Sequence, residues 1–476
     1  MVIILGGILW SAVARPVFRS IAKPAMAAGL EPVVATRTLG LGFLMCLGFV
    51  MGRVSPDSHR DPAHQRGTYI EAAPNRRHRR AKPGQLTLAG IPIDPLDETK
   101  LFKMIGTTGT GKSTAIRELL GAALARGDRA VIADPDGGYV KTFYDPKRGD
   151  IISNPFDERS HKWDLLSEIR HEYDFEQLAR SLIPEGHGQD RNWRLYGQIL
   201  LAEVMRQSQR AGVTDTGEIH RLLTSATPEQ MRSILQSTTA QPFLEVGNER
   251  MFGSIRSVTS SALTALSFID RQTTPLFSVR NWVKSGKGVL FLPYQADQIA
   301  ALRNVISTWM RIAIFEKMTH EEGGPKLWFT IDELDALGQI DGLKDALARL
   351  RKFGGCCILG FQSIAQVSGL YGDAEAQTIV ENCGNTLILR CSASQLGGTA
   401  QFASRLIGER EIIRKQVTRN RNAGWFDKPH SSVSRSDQHF TELAVLASQI
   451  EQLPDLTGCL KLASRPDWLK IQMCHS

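Results

Sequence analysis

The run Gly106-Thr107-Thr108-Gly109-Thr110-Gly111-Lys112-Ser113 constrains this chain more than any other feature. It fits Gly-x-x-x-x-Gly-Lys-Ser/Thr at every fixed position. LFKMI, Leu101 to Ile105, precedes it and reads as a buried strand. STAIRELLGAALARG follows with the apolar spacing of an amphipathic helix that ends at Gly127. Strand, Gly-rich loop and helix are the setting in which this motif holds phosphate. The glycines let backbone N–H groups turn inward as a nest, and the helix N-terminus adds the positive end of its dipole. Lys112 then reaches the β- and γ-phosphates, and Ser113 offers a hydroxyl to Mg²⁺. The run from Gly106 through Thr114 is the candidate nucleotide-binding set.

Such a site also needs an acid at the tip of a hydrophobic strand. LWFTI, Leu327 to Ile331, ends in Asp332-Glu333. Asp332 is placed to hold the Mg²⁺ shell and Glu333 to act as general base on the attacking water. No Asn-Lys-x-Asp element follows to read guanine, so ATP is the expected nucleotide. Further apolar runs read as strands of a parallel sheet: RAVIADPDG with Asp134 at its tip, GVLFLPY, CCILGFQ and NTLILRC. Strand and helix alternate, as a doubly wound α/β fold requires. Gln362 closes one of these strands, where it either senses the γ-phosphate or faces a turn. The acid pair follows the loop by roughly 200 residues, too far for a plain P-loop domain. The intervening segment includes WDLLSEIRHEYDFEQLARSLI and RLYGQILLAEVMRQSQR, both with helical spacing. An all-α domain inserted over residues 164–270 is the expectation.

The N-terminal end is different in kind. MVIILGGILWSAVA opens the chain, and TLGLGFLMCLGFVMG lies between Arg37 and Arg53. Each is shorter than the roughly 20 residues a spanning helix prefers. Arg snorkelling and small residues at Gly40, Gly42, Gly48 and Gly52 favour one or two spans over residues 1–53. A signal peptide competes for the first stretch and a buried soluble helix for the second. Basic residues crowd the segment after Gly52, which places the main body in the cytoplasm. Residues 54–84 read as a basic linker with scattered prolines. Its run Arg76-Arg77-His78-Arg79-Arg80 suits lipid headgroups, DNA phosphate or plain solvation equally.

The formal charge of +8 fits a polyanion partner, an anionic membrane surface or simply a mildly basic enzyme. None of the seven cysteines forms a Cys-x-x-Cys pair or completes a zinc spacing, and zincin and nucleophile-elbow motifs are absent. No zinc finger or other base-reading motif is present, so any DNA contact is expected to be phosphate-directed and salt-sensitive.

GTTGTGKSTAIRELL, the stretch from LARGDRAVIADPDGGYVKTFY through NPFDERSHKWD, FSVRNWV, LWFTIDEL, LRKFGGCCILGFQS and LPDLTG are together similar to the TraD/TrwB coupling proteins of conjugative plasmids. The resemblance covers about residues 85 to 476. It implies a RecA-like P-loop ATPase domain, residues 85–163 and 271–476, interrupted by the all-α domain and carried on an inner-membrane anchor. It implies a homo-hexameric ring at a type IV secretion channel that receives a relaxase–DNA complex and spends ATP, with Mg²⁺, to move DNA. By the same resemblance Gln362 is the phosphate sensor. Arg351, in LRKFGG, matches an arginine thought to reach a neighbouring subunit's phosphates; as a plain reading it is a surface arginine at a helix end. Two other outcomes stay open: a HerA/FtsK-type DNA translocase, and a substrate receptor that uses nucleotide only to hold a ring.

Overall fold

The computed structural model describes residues 64–73, 81–186, 190–393, 398–422 and 430–474. Its centre is a ten-stranded sheet. In chain order the strands are β1 (Ile70–Ala72), β2 (Phe102–Ile105), β3 (Arg129–Pro135), β4 (Ile151–Ile152), β5 (Val289–Tyr294), β6 (Leu327–Ile331), β7 (Gly355–Phe361), β8 (Asn385–Ile388), β9 (Thr457–Lys461) and β10 (Trp468–Gln472). Their spatial order is β1-β10-β9-β8-β2-β7-β6-β3-β5-β4. The run from β8 to β4 is parallel throughout, and β9 and β10 add antiparallel pairs at one side.

The central strands read as unbroken apolar runs because both their faces are covered. Alternation then sends successive side chains to opposite sides. Phe102, Met104, Ala130, Ile132, Trp328 and Ile358 pack on one side, together with Ala115, Ile116, Leu119 and Leu120 of helix α1 (Lys112–Ala125). Ile105, Val131, Ala133, Phe329 and Ile331 pack on the other, against the helix Ile299–Lys317. Lys103 is the polar exception in this layer. Its ammonium is buried and donates to the carbonyls of Val380 (3.0 Å) and Cys383 (2.6 Å), and desolvation holds its pKa below the ordinary lysine value.

Between β4 and β5 the described residues make seven α-helices: Glu172–Leu182, Asp190–Arg210, Thr216–Thr224, Pro228–Ile234, Glu249–Ala262, Thr264–Asp270 and Val279–Ser285. The two ends of this excursion meet in a small parallel pairing of Lys162–Trp163 with Leu276–Phe277. Glu168 ties the seam. It is fully buried and accepts from Trp163 Nε1, Val279 N and Arg280 N. Arg170 and Arg280 bridge to Glu316 on the long core helix, and Arg280 also reaches Asp174.

Three features depart from the sequence reading. WDLLSEIRHEYDFEQLARSLI is not one helix: Asp174 turns back to accept from the backbone N–H groups of Arg170 and His171, both at 2.9 Å, and so starts a new helix at Glu172. The supposed linker contributes β1, which pairs in parallel with β10 at the sheet edge. A three-residue strand of that kind takes its register from its partner and leaves almost no periodic signal of its own. Beyond β8 the chain throws out an antiparallel hairpin, Glu409–Asn422 with His430–Leu443, that no apolar periodicity announces. The expected membrane spans at residues 1–53 lie outside the described residues. Among the described residues, no helix is long and apolar enough to cross a membrane.

Candidate functional site

The phosphate loop leaves β2 at Ile105 and enters α1 at Lys112. Its curvature depends on glycine. Gly109 and Gly111 take φ of +79° and +111°, and a Cβ on Gly111 would lie 2.7 Å from Leu456 Cδ2. Neighbouring strand ends pin the loop. Thr107 N donates to the Arg390 carbonyl at 2.9 Å, and Leu456 N donates to the Thr110 carbonyl at 2.9 Å. Thr110 Oγ1 turns inward to the Thr107 carbonyl at 2.7 Å, so this residue shapes the loop rather than lining the cleft. Gly106 likewise offers its carbonyl to Lys112 Nζ at 2.7 Å. Thr107, Thr108, Gly109, Gly111, Lys112, Ser113 and Thr114 line a cleft of about 520 Å³, in the size range of small-molecule sites.

The opposite wall comes from the adjacent strand tips. β6 pairs with β3 and β7, so Asp332 and Glu333 emerge beside Asp134 and Gln362. Ser113 Oγ donates to Asp332 Oδ2 at 2.7 Å, which joins the loop to the acid despite 219 residues of separation. Gln362 bridges both walls: its Oε1 accepts from Thr108 Oγ1 at 2.9 Å, and its Nε2 donates to Glu333 Oε1 at 2.8 Å. Gln362 lines the cleft. Asp332 Oδ1 is buried with no hydrogen-bond partner.

Burial sets the protonation energetics. It lowers the pKa of Lys112, an effect opposed by Asp332 and Glu333. It raises that of Glu333, an effect Gln362 opposes and Asp332 reinforces. A raised carboxylate pKa makes a better base for water. The residues present fit an Mg²⁺–nucleotide: a backbone nest, a cation beside it, a hydroxyl and carboxylate in contact, and an orphaned carboxylate oxygen. Arg351 is not part of this cleft. It lies exposed in the short helix Arg351–Phe353 ahead of β7, whereas Gln362 follows β7. Seven residues of strand separate the two ends by about 23 Å, so this arginine does not reach its own chain's loop.

Sequence reasoning passed over Tyr139 and Arg117. Tyr139 OH donates to Asp332 Oδ2 at 2.7 Å, and the Arg117 guanidinium lies 5.5 Å from the centre of the Tyr139 ring. The available signal was the turn Asp-Pro-Asp-Gly-Gly after β3, which sends the chain back over the strand tips.

The sequence profile of the type IV secretion-system coupling protein DNA-binding domain matches residues 85–474. The chain is 32% identical over 385 residues to the coupling protein TraD of Escherichia coli K12, a match that covers 79% of this chain and 53% of TraD. It is 24% identical over 307 residues to a conjugal transfer protein TraG of Escherichia coli, covering 54% of this chain and 46% of TraG. The chain thus spans about half the length of these relatives. The plasmid coupling protein TrwB, solved in complex with ADP and Mg²⁺, superposes with a TM-score of 0.75 at 31% identity, over 88% of this chain and 96% of that one. TrwB has also been solved with a non-hydrolysable ATP analogue. VirB4 of Thermoanaerobacter pseudethanolicus shares the fold at 14% identity and a TM-score of 0.50.

Proposed function

The chain belongs to the coupling proteins of type IV secretion systems, and from that premise we propose that it is a membrane-anchored, Mg²⁺-dependent ATPase that drives DNA into a secretion channel during conjugation. The observation that carries this reading is the convergence of Lys112, Ser113, Asp332, Glu333 and Gln362 on one cleft from separate strand tips. TrwB, whose solved complexes hold ADP with Mg²⁺ and an ATP analogue, supports the cofactor assignment.

The loop N–H groups and Lys112 bind and orient the phosphates. Lys112 Nζ, parked on the Gly106 carbonyl, exchanges that acceptor for phosphate oxygen. Ser113 and Asp332 hold the cation, which supplies charge neutralisation at the terminal phosphates. Glu333 takes the proton from the attacking water, and Gln362, bonded to both Glu333 and Thr108, reports the state of the phosphate wall. Arg351 serves the neighbouring subunit of a homo-hexameric ring, which explains its distance from its own loop. The basic chain contacts DNA through phosphate without reading sequence. Residues 1–53 anchor it in the bacterial inner membrane with the main body in the cytoplasm. The relaxase complex and channel proteins are its partners. Residues 85–163 and 271–476 make the motor domain and residues 164–270 its inserted all-α domain.

Plasmid transfer by cells carrying Glu333→Gln tests the motor role. The variant is expected to assemble normally while transfer falls by roughly 10²-fold or more, the scale of losing a catalytic group. Transfer at the normal frequency would instead mark a receptor that needs nucleotide only for assembly.

A further inference from the structure

The two oxygens of Asp332 meet different surroundings. Oδ2 accepts from both Ser113 Oγ and Tyr139 OH, each at 2.7 Å. Oδ1 is buried and unpartnered. The terminal torsion of an aspartate is broad and nearly two-fold, so one donor from the flexible Ser113 side chain would not by itself fix which oxygen is bonded and which is free. A second donor from another element does.

Tyr139 is delivered to that place by an unusual piece of backbone. Asp136 and Gly137 both take positive φ, +58° and +65°. A non-glycine residue there is sparsely populated and persists only where its surroundings impose it. The Asp134 carboxylate does so by accepting from Tyr139 N at 3.0 Å and Val140 N at 2.7 Å. The Tyr139 ring is 1% exposed, with Arg117 over its face.

We propose that Tyr139 is a positioning residue for the divalent cation: its hydroxyl, together with that of Ser113, holds Asp332 Oδ2 and so fixes the carboxylate, leaving Oδ1 as its unpartnered acceptor. The assignment rests on the nucleotide reading above and extends it to a residue outside the loop and the acid pair. Partners of metal-holding carboxylates commonly govern metal affinity in this way.

The test is calorimetric ADP binding by the full-length chain in detergent, with Mg²⁺ titrated, for the native protein and Tyr139→Phe. The substitution keeps the ring under Arg117 and removes only the hydroxyl. ADP affinity without metal is expected to agree within about twofold between the two, while the Mg²⁺ concentration that gives half of the metal-dependent gain rises about tenfold in the variant. An unchanged Mg²⁺ midpoint overturns the assignment. So does an equal loss of ADP affinity with and without Mg²⁺, which marks a purely structural tyrosine. A native chain that binds ADP without any Mg²⁺ effect overturns the metal seat itself.

Discussion

Asp134 shows what this architecture demands of single residues. Its carboxylate is buried at the tip of β3, next to the tip that carries Asp332, and burial pushes its pKa up to about 6 despite backbone donors. The unfolded chain holds it at the ordinary value near 3.8. Between those two values the folded form binds more protons than the unfolded one, so this group's contribution to stability is complete below about 4 and is lost as pH rises through about 6. Asp134→Asn, which keeps an acceptor for the turn, is expected to flatten that part of a pH–stability profile from chemical denaturation. A variant profile parallel to the native one would show that the group does not titrate there. Lys112, Ser113, Asp332 and Glu333 were legible in the sequence because each sits at a fixed place in a motif. Tyr139 was not, because its role depends on two positive-φ residues and on a strand neighbour 193 positions away.

Among elements, legibility followed burial. β3, β5, β6 and β7 are buried on both faces and announce themselves as apolar runs. The hairpin Glu409–Asn422 with His430–Leu443 is the opposite case. Its described side chains from Arg414 to Thr418 and from Val433 to Phe440 are all exposed, Val417 and Val433 included. The base of the hairpin is part of a three-stranded sheet and buries Ile412, but its outer part has no buried face and adds little to stability. Joining Lys415 directly to Asp437, its cross-strand partner, through Asn-Gly keeps the register. That shortened chain is expected to melt within about 3 °C of the native one and to bind nucleotide equally, as judged by thermal unfolding with and without ADP. A drop of about 10 °C or more would assign the outer ribbon a packing role.

At the scale of the whole molecule, the strands hold the nucleotide cleft and Arg351 at opposite ends of β7. The nucleotide cleft lies at the ends of β2, β3, β6 and β7, and Arg351 lies at the start of β7. In the proposed ring, a head-to-tail arrangement would set one subunit's Arg351 against the next subunit's cleft. Arg351→Ala is expected to lower ATP turnover by about 10²-fold or more, and mixing it with Lys112→Ala should recover part of the activity, because each variant supplies what the other lacks. Mixtures no more active than their separate components would place Arg351 outside the reaction. The parallel strands and the motif residues of the cleft were readable in the sequence; the spatial order of the strands and this front-to-back division were not, because they follow from strand pairing and direction rather than from any residue pattern.

ATP turnover by the full-length chain, with and without DNA and beside Lys112→Ala, bears most directly on the motor reading. DNA is expected to raise turnover at low salt, the gain should shrink steeply as salt rises, and Lys112→Ala should abolish the activity in every condition. Turnover that ignores DNA at all salt concentrations, or that survives in Lys112→Ala, would contradict the account.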